Sequence, residues 1–327
     1  MTTKLSQKLC TGLATMAVLC ATLVMPLSAQ PVAIPKLQVY GNTSTMELAP
    51  VLMALNSYYK GPATLTNGGI PNLFSTNNDA ATAMVATNAE TQALRQSVDH
   101  PDLRIIYTVS GGLYRIVAKR SAGIRTLADL KGKKIGTIAN TSSQYFLHKM
   151  LKSVGLTIDD VTVVSITSLD KYKTALTEQG LDAITVWEPG ADYAAESIGK
   201  DAIEFSGKGI YREIFNLYAT AATLADPLKH ATILQFVKAL KVATDDLNAT
   251  PKLAWPLVAK STGLPESVVQ HAWPHHEFTA DLAPDLLDVM VEEDQWVARE
   301  TKRRPRTREQ LAQLIDASVY LTAKIGR

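Results

Sequence analysis

Two short runs of hydroxyl and amide side chains occur directly after apolar runs of the sequence. The run NTST, residues 42–45, follows KLQVYG, and the run NTSS, residues 140–143, follows KKIGTIA. At the start of a helix, such a run places hydroxyl donors beside backbone N–H groups that have no partner within the helix. The helix N-terminus also carries a partial positive charge, so these runs are suited to binding the oxygen atoms of an anion.

Helix capping alone explains part of each run. Thr141 with Gln144, and Ser44 with Glu47, fit the capping-box spacing S/T-x-x-E/Q. A cap contributes about 0.5–2 kcal/mol, which accounts for Thr141 without any ligand. The other polar residues exceed what a cap needs, and we predict that both runs line a ligand site. The predicted residues are Thr43, Ser44 and Thr45 in the first run and Asn140, Thr141, Ser142 and Ser143 in the second.

Other stretches offer candidate ligand groups, each with a plain structural alternative. The turn TNGGIP contains Gly68 and Gly69, which let backbone N–H groups approach a ligand, and Asn88 stands in a further turn. Trp187 and Glu188 follow an apolar run, where a tryptophan of the core is the alternative. Arg115 could balance an anionic ligand through two parallel hydrogen bonds, and a surface arginine is the alternative there.

The elements that would position these residues follow from an alternation of short β-like runs and helical patterns. From Lys36 this alternation predicts an α/β fold, and from Pro227 the pattern is almost entirely helical. We predict two lobes, each a mostly parallel sheet flanked by helices, with a helical C-terminal tail that packs on the first lobe. Because open α/β sheets bind ligands at the carboxyl ends of their strands, both polar runs should face one cleft.

The predicted lobes divide the chain into four parts. Residues 1–29 form a leader, 30–118 the first part of lobe I, 119–215 lobe II, and 216–327 the return to lobe I with the C-terminal helices. The candidate crossings between the lobes are residues 114–124 and 205–220. Two crossings predict lobes that hinge about a shared waist.

The leader has the pattern of a cleaved secretory signal peptide. Lys4 and Lys8 precede an apolar run from Leu9 to Leu27, and small residues stand before a cleavage site after Ala29. An uncleaved membrane anchor is the alternative, because the run approaches the roughly 20 residues that span a bilayer.

Removal of this leader would leave a chain without cysteine and without net charge. Cys10 and Cys20 both lie within it, which excludes a disulfide scaffold in the mature chain. Loss of Lys4 and Lys8 reduces 33 basic residues to 31, equal to the 31 acidic ones. Nothing in this balance indicates a nucleic-acid partner.

Signatures of catalysis are absent from the sequence. It lacks G-x-S-x-G, a P-loop and a complete G-x-G-x-x-G. The stretch HAWPHHEF gathers His271, His275 and His276 but lacks the H-E-x-x-H spacing of a zinc site. We therefore expect no metal, no cofactor and no enzymatic activity.

Three stretches resemble the substrate-binding proteins of ABC importers for sulfonates, taurine, nitrate and thiamine precursors. They are TLADLKGKKIGTIANTSSQYFLHKML, GLDAITVWEPGADY and GGIPNLFSTNNDAATA, and the similarity covers the chain from about Lys36 to the C-terminus. The resemblance implies a type II periplasmic-binding fold whose two lobes close on a small-molecule ligand. It implies a monomeric periplasmic protein that delivers its ligand to an ABC permease and the ATPase of that permease. The pocket positions of the family fall on the corners named above.

The resemblance leaves the ligand open. A small organic anion, sulfonate-like or carboxylate, is the leading expectation, with an apolar portion against Trp187. The alternative is a neutral heterocycle such as a thiamine-pyrimidine precursor, stacked on Trp187 or Tyr114 and hydrogen bonded by Glu188 and Asn88. A solute sensor that signals to a membrane receptor is a further alternative. The pyrimidine-precursor synthase of this fold carries a cysteine-rich segment and its desulfinases need a cysteine nucleophile, so we expect neither enzyme here.

Overall fold

The computed structural model describes residues 1–2, 34–76 and 78–325. The predicted signal peptide lies outside the described residues, apart from Met1 and Thr2. From Ile34 onward the chain forms two β-sheets with helices packed on their faces. Among the helices that the structure describes, no segment combines the length and hydrophobicity that a bilayer crossing requires.

The strands are short and are numbered along the chain. They are β1 (Leu37–Gly41), β2 (Ala63–Asn67), β3 (Ala83–Ala89), β4 (Leu103–Gly112), β5 (Arg115–Lys119), β6 (Lys134–Thr137), β7 (Thr162–Ser165), β8 (Ala183–Val186), β9 (Ala202–Ser206), β10 (Glu213–Thr220) and β11 (His276–Glu277). The first sheet has the strand order β11-β4-β10-β3-β1-β2, and the second has the order β7-β6-β8-β5-β9. We refer to the parts of the chain built on these sheets as lobe I and lobe II.

Both sheets are mixed, and in each of them most strands run in one direction, in agreement with the expected mostly parallel sheets. Strand β1 runs parallel to β2 and β3, and β6 runs parallel to β7 and β8. Strands β10 and β5 pair antiparallel with both of their neighbours. These two strands come directly after the crossings between the sheets. The chain therefore enters each of them from the end opposite to that of a βαβ unit, and the pairing reverses.

The crossings themselves are brief. The chain leaves the first sheet after Gly112 and joins the second at Arg115, and it returns between Ser206 and Glu213. Both passages lie a few residues before the predicted boundaries at 118 and 215. Residues 113–114 and 207–212 are thus the connections about which the two lobes can hinge.

The helices are concentrated in the C-terminal third, as the sequence pattern predicts. They are α1 (Ala49–Met53), α2 (Glu90–Gln96), α3 (Ser142–Ser153), α4 (Ala175–Glu178), α5 (Gly190–Ile198), α6 (Ala221–Ala225), α7 (Pro227–Ala249), α8 (Trp255–Thr262), α9 (Glu266–Ala272), α10 (Leu286–Glu300), α11 (Arg308–Ala312) and α12 (Ser318–Ile325). The longest, α7, begins with proline at its first position, and the Asp226 carboxylate accepts hydrogen bonds from the N–H groups of Leu228 and Lys229 at 3.0 and 3.2 Å.

The C-terminal helices pack against lobe I and also reach the waist between the lobes. Helices α7, α8 and α12 share one apolar core with β1, β3, β4 and β10. At the waist, Tyr114, Tyr145, Phe146, Tyr211 and Trp296 form an aromatic cluster, in which the Tyr145 and Trp296 rings lie 5.3 Å apart and the Tyr114 and Phe146 rings 5.7 Å apart. Large rings buried in one cluster tie both lobes to the tail at the hinge.

Candidate functional site

The second polar run begins a helix, as predicted. Thr141 is the N-cap of α3, and its hydroxyl accepts a hydrogen bond from the Ser143 N–H at 3.2 Å. The Gln144 side chain returns to the chain one residue earlier than the capping box predicts, where it accepts from the Asn140 N–H at 2.8 Å. Asn140 has a positive φ of 62°, and its carbonyl accepts a hydrogen bond from the Gln92 side chain at 3.0 Å. Because α2 carries Gln92, this bond joins lobe I to lobe II.

The two serines of this run have different surroundings. The Ser142 hydroxyl lies 2.9 Å from the Tyr114 hydroxyl and 3.4 Å from a carboxylate oxygen of Glu213. The Ser143 hydroxyl is bonded inside lobe II, to the Thr137 hydroxyl at 2.8 Å and the Thr185 carbonyl at 2.7 Å. Ser142 therefore faces the waist, whereas Ser143 serves the packing of α3 on its own sheet.

The capping box predicted for the first run is wrong. Thr45, and not Ser44, is the N-cap of a short 3₁₀ turn, and its side chain makes no capping hydrogen bond. The Asn42 side chain instead accepts from the Ser44 N–H at 3.1 Å and its carbonyl accepts from the Thr45 hydroxyl at 3.1 Å, an asparagine turn that competes with the cap. Glu47 therefore does not act as a capping residue, and its side chain is buried beside the cleft.

The glycine corner approaches the site without offering free N–H groups. The Gly68 N–H bonds the Gly41 carbonyl at 3.1 Å, and the Gly69 N–H bonds the Asn72 side chain at 2.9 Å. A Cβ on Gly69 would lie 2.4 Å from the Asn88 side-chain nitrogen. Gly68 and Gly69 thus leave room for the side-chain amides of Asn72 and Asn88. These side chains, and not the glycine N–H groups, offer polar atoms to the cavity.

Arg115 and Glu188 bind each other, and their contact with a ligand stays a prediction. The Arg115 guanidinium contacts Glu188 at 2.5 Å, Asp192 at 2.6 Å and Glu204 at 2.5 Å, and Arg115, Glu188 and Asp192 are buried. Burial opposes the charge of Arg115, but the carboxylates outweigh it and raise its pKa. Burial also raises the pKa of Glu188 to about 7, although the charge of Arg115 lowers it. We call these four residues the paired-acid cluster.

A cavity of about 450 Å³ lies between the lobes. Seven of the predicted site residues line it: Thr45, Gly68, Gly69, Asn88, Thr141, Ser142 and Trp187. The six predicted residues that do not line it are Thr43, Ser44, Arg115, Asn140, Ser143 and Glu188. The remaining lining residues are Asn42, Glu47, Asn67, Pro71, Asn72, Thr87, Ala89, Gln92, Glu213 and Phe215. The cavity is accordingly rich in amide and hydroxyl groups, and Glu47 and Glu213 are the ionisable residues among those described around it.

A second cavity of about 500 Å³ adjoins the first and shares Asn42 and Trp187 with it. Ser44 belongs to this second cavity, together with residues of lobe II such as Lys173 and Tyr193. Thr43 is held outside both, because its N–H donates to the Asn67 side chain at 3.1 Å. Trp187 thus stands between two compartments of one cleft.

The two acids of the cavity are buried without a basic partner at close range. Burial raises the pKa of Glu47 to about 7. Burial, together with the negative charges of Glu47 and Glu90, raises the pKa of Glu213 well above its usual range. The His276 side chain lies 3.9 Å from Glu47, but burial lowers its pKa to about 4, so it is neutral near pH 7. We call Glu47 and Glu213 the unpaired acids.

The histidines of the tail do not form a metal centre. His271 bonds Asp192 at 2.8 Å, which raises the pKa of His271, and His276 is directed to Glu47 and the Ala272 carbonyl. Within residues 34–76 and 78–325, no group of three or more histidine, cysteine, aspartate or glutamate side chains could hold a metal ion.

Sequence reasoning missed several lining residues. Asn67 and Asn72 belong to the glycine corner, and an amide-rich turn was the available signal. Glu47 was interpreted as a cap residue. Glu213 is the first residue of β10, and a single acid at the start of a fully buried strand was the signal that it lines a site.

The comparisons agree with this architecture. The profile of the family described as NMT1/THI5 like matches residues 74–254, which is more than half of the chain. An Escherichia coli (strain K12) protein described as aliphatic sulfonates-binding is 27% identical over 165 residues, or 49% of this chain and 49% of its own length. A Haemophilus influenzae protein described for thiamine biosynthesis is 30% identical over 160 residues, or 47% of this chain and 49% of its own. The alignments thus span about half the length of these relatives.

Solved structures share the fold over most of the chain. The periplasmic aliphatic sulphonate binding protein SsuA from Escherichia coli superimposes with a TM-score of 0.70 at 16% identity, covering 88% of this chain and 99% of that one. The desulfurization enzyme DSZB superimposes with a TM-score of 0.61 at 14% identity, covering 89% of this chain and 99% of that one. The fold therefore carries both binding proteins and an enzyme.

Proposed function

The chain belongs to the NMT1/THI5-like family, and on that premise we propose that it is the solute-binding component of an ABC importer. The observation that carries this proposal is the cavity of about 450 Å³ lined from both lobes. Its volume fits a small organic molecule, and its amide and hydroxyl lining fits a polar one. The described residues that line it include no histidine, lysine or cysteine, so binding without chemistry is the better-supported role.

A small organic anion, sulfonate-like or carboxylate, is the first candidate ligand. The start of α3 supplies Thr141 and Ser142, and lobe I supplies Thr45 and Asn88. Hydroxyl and amide donors of this kind bind oxyanions without a full positive charge. The descriptions of the sulfonate-binding relatives support this candidate.

A heterocycle is the second candidate, and the unpaired acids favour it. Trp187 lies 6.0 Å from the Tyr114 ring and offers an aromatic face to the cleft. Glu47 and Glu213 would oppose a neighbouring anion whenever they are ionised, but they suit a ring that bears N–H groups. The relative described for thiamine biosynthesis is compatible with such a ligand.

The proposed setting is the periplasm, with a cleaved signal peptide at residues 1–29 and delivery of the solute to an ABC permease and its ATPase. We propose that the protein acts as a monomer without a cofactor. A ligand that bridges both lobes would bind the closed arrangement better than the open one and would shift the population towards closure. The bond between Gln92 and the Asn140 carbonyl is one contact that closure would preserve.

The test is mass spectrometry of the protein under native conditions, followed by calorimetric titration of the identified solute. We expect a co-purified small molecule, and compaction by small-angle scattering when the emptied protein is refilled. A sensor would show the same binding, so disruption of neighbouring permease genes distinguishes transport from signalling. Absence of any bound or titratable small molecule would contradict a solute-binding role.

A further inference from the structure

Three buried polar atoms among the cavity-lining residues have no hydrogen-bond partner within the protein. They are one carboxylate oxygen of Glu47, one of Glu213 and the indole nitrogen of Trp187. The Glu47 and Glu213 side chains are only 2% and 3% exposed, so bulk water does not solvate them. Buried polar groups in proteins are normally satisfied, and each unsatisfied one costs about 1–3 kcal/mol. Because all three residues border one cavity, a common ligand is the simplest source of the missing partners.

The neighbourhood of the acids indicates what that ligand must bring. The nearest hydroxyls are already engaged: Ser142 contacts both Tyr114 and the other oxygen of Glu213. Arg115, the buried guanidinium of the waist, is bound by the three carboxylates of its own cluster. No lysine or arginine stands among the described residues that line the cavity. The protein thus provides acceptors in surplus here and no cation to balance them.

We propose, resting on the proposed solute-binding function, that the ligand presents a basic nitrogen group with at least two N–H donors to Glu47 and Glu213. An amidine or a protonated amino-heterocycle has this chemistry, and an acceptor atom on the same molecule would take the Trp187 N–H. This narrows the ligand class, because an anion without an N–H group offers no donor to these two carboxylates when they are ionised.

Proton exchange on binding distinguishes this ligand from an anion. In the empty protein, burial raises the pKa of Glu47 to about 7, and burial together with neighbouring negative charges raises the pKa of Glu213 well above its usual range. A cation favours the carboxylate forms; binding then releases protons, and affinity increases as pH rises through the pKa of Glu47. An anion favours the neutral forms, so its binding takes up protons and weakens over the same range. The other titratable groups that face the pair are Glu90, Tyr114, Tyr211, Tyr218, His276 and Glu293.

The experiment is calorimetric titration of the full chain with four probes: benzamidine, 4-aminopyrimidine, benzoate and benzenesulfonate. Each titration is run in two buffers that differ in ionisation enthalpy, which counts the protons exchanged. We expect benzamidine or 4-aminopyrimidine to bind with proton release, and Glu213→Gln to weaken that binding roughly 10- to 100-fold. Glu293→Gln is the matched control, since Glu293 is equally buried but does not line the cavity. Thermal melting of both variants shows that they are folded.

Two results would overturn the inference. If an anion binds with proton uptake and Glu213→Gln binds it at least as well, the ligand class is wrong while the solute-binding function stands. If none of the four probes binds, the elemental composition of the co-purified molecule decides: one without nitrogen overturns the ligand class. The absence of any co-purified molecule, together with four silent titrations, overturns both proposals.

Discussion

The paired-acid cluster and the unpaired acids solve the problem of buried charge in different ways. Around Arg115, three carboxylates surround one guanidinium within 2.6 Å, and His271 adds a further contact to Asp192. At Glu47 and Glu213 burial is as complete, but the partners are hydroxyls and a neutral histidine. A buried charge without a counter-charge is costly, and the acids around Arg115 have a cation within the protein whereas Glu47 and Glu213 do not. Burial by itself therefore does not mark a binding group; Glu47 and Glu213 stand out because each has a buried oxygen without a partner and also lines the cavity.

The largest expected effect comes from removing the cation of the paired-acid cluster. Arg115→Met leaves Glu188 and Asp192 buried without compensation, and we expect a loss of about 3–5 kcal/mol in the free energy of unfolding. Urea denaturation at pH 7 measures it. Arg212→Met is the control, because Arg212 bonds the half-exposed Asp285 and should lose less than about 1 kcal/mol. Equal losses of unfolding free energy in Arg115→Met and Arg212→Met would show that the buried cluster around Arg115 contributes no more than an exposed ion pair.

The next effect concerns an unpaired acid and depends on pH. Because the folded pKa of Glu47 is raised from 4.5 to about 7, the unfolded chain gains from its ionisation first, and stability falls as pH rises over that interval. Glu47→Gln cannot ionise and should escape this fall. We expect it to match the parent at pH 4 and to exceed it by roughly 2–3 kcal/mol at pH 8 without ligand. If the difference in the free energy of unfolding between Glu47→Gln and the parent stays constant from pH 4 to pH 8, ionisation of Glu47 does not destabilise the folded protein.

A smaller effect tests whether hydroxyls replace the missing cation. Tyr114→Phe removes the phenol that lies 2.9 Å from the Ser142 hydroxyl and keeps the ring contact with Phe146. We expect a loss of about 1 kcal/mol in the free energy of unfolding, the usual contribution of one neutral hydrogen bond. A loss as large as that of Arg115→Met would mean that the Tyr114 hydroxyl contributes as much to the free energy of unfolding as the Arg115 guanidinium does.

The smallest effect belongs to the exposed edge of the paired-acid cluster. His271 is 71% exposed and bonds Asp192, which raises the pKa of His271. A group with a raised pKa contributes its stability at low pH and loses it as pH rises through that pKa. We expect His271→Ala to cost less than about 1 kcal/mol at pH 5 and nothing measurable at pH 9. A cost that persists at pH 9 would indicate a packing role in place of a charged contact.

Local sequence signals predicted the α/β fold and the helix cap at Thr141. The alternation of strand and helix patterns identified two α/β lobes, and Thr141 begins α3 because its cap is made within three residues. The antiparallel direction of β5 and β10 depends on where the chain crosses between sheets, which no short window of sequence contains. The position of these antiparallel strands is therefore the part of the sheet topology that the sequence pattern does not predict.

The candidate site was harder to predict, because its partners are distant in sequence. Arg115 meets Glu188 through the antiparallel register of β5 and β8, 73 residues apart. Glu47 enters the cleft because Asn42, and not a capping box, shapes its turn. Polar residues beside strand ends indicated the region of the cleft. Whether a residue such as Arg115 faces the cleft or forms an internal ion pair depends on tertiary packing, which the local sequence does not contain.

The position of Trp187 gives the protein a built-in optical reporter. Of the four tryptophans in the sequence, Trp255 and Trp273 lie in the C-terminal tail with rings 6.5 Å apart, and Trp296 is packed in the aromatic cluster at the waist. Trp187 borders both compartments of the cleft with an indole N–H that has no partner in the protein. A solute that fills the cleft changes the surroundings of this one indole most directly. Its intrinsic emission can therefore follow occupancy in real time without an attached dye, because the other three tryptophans are not among the residues that line the cleft.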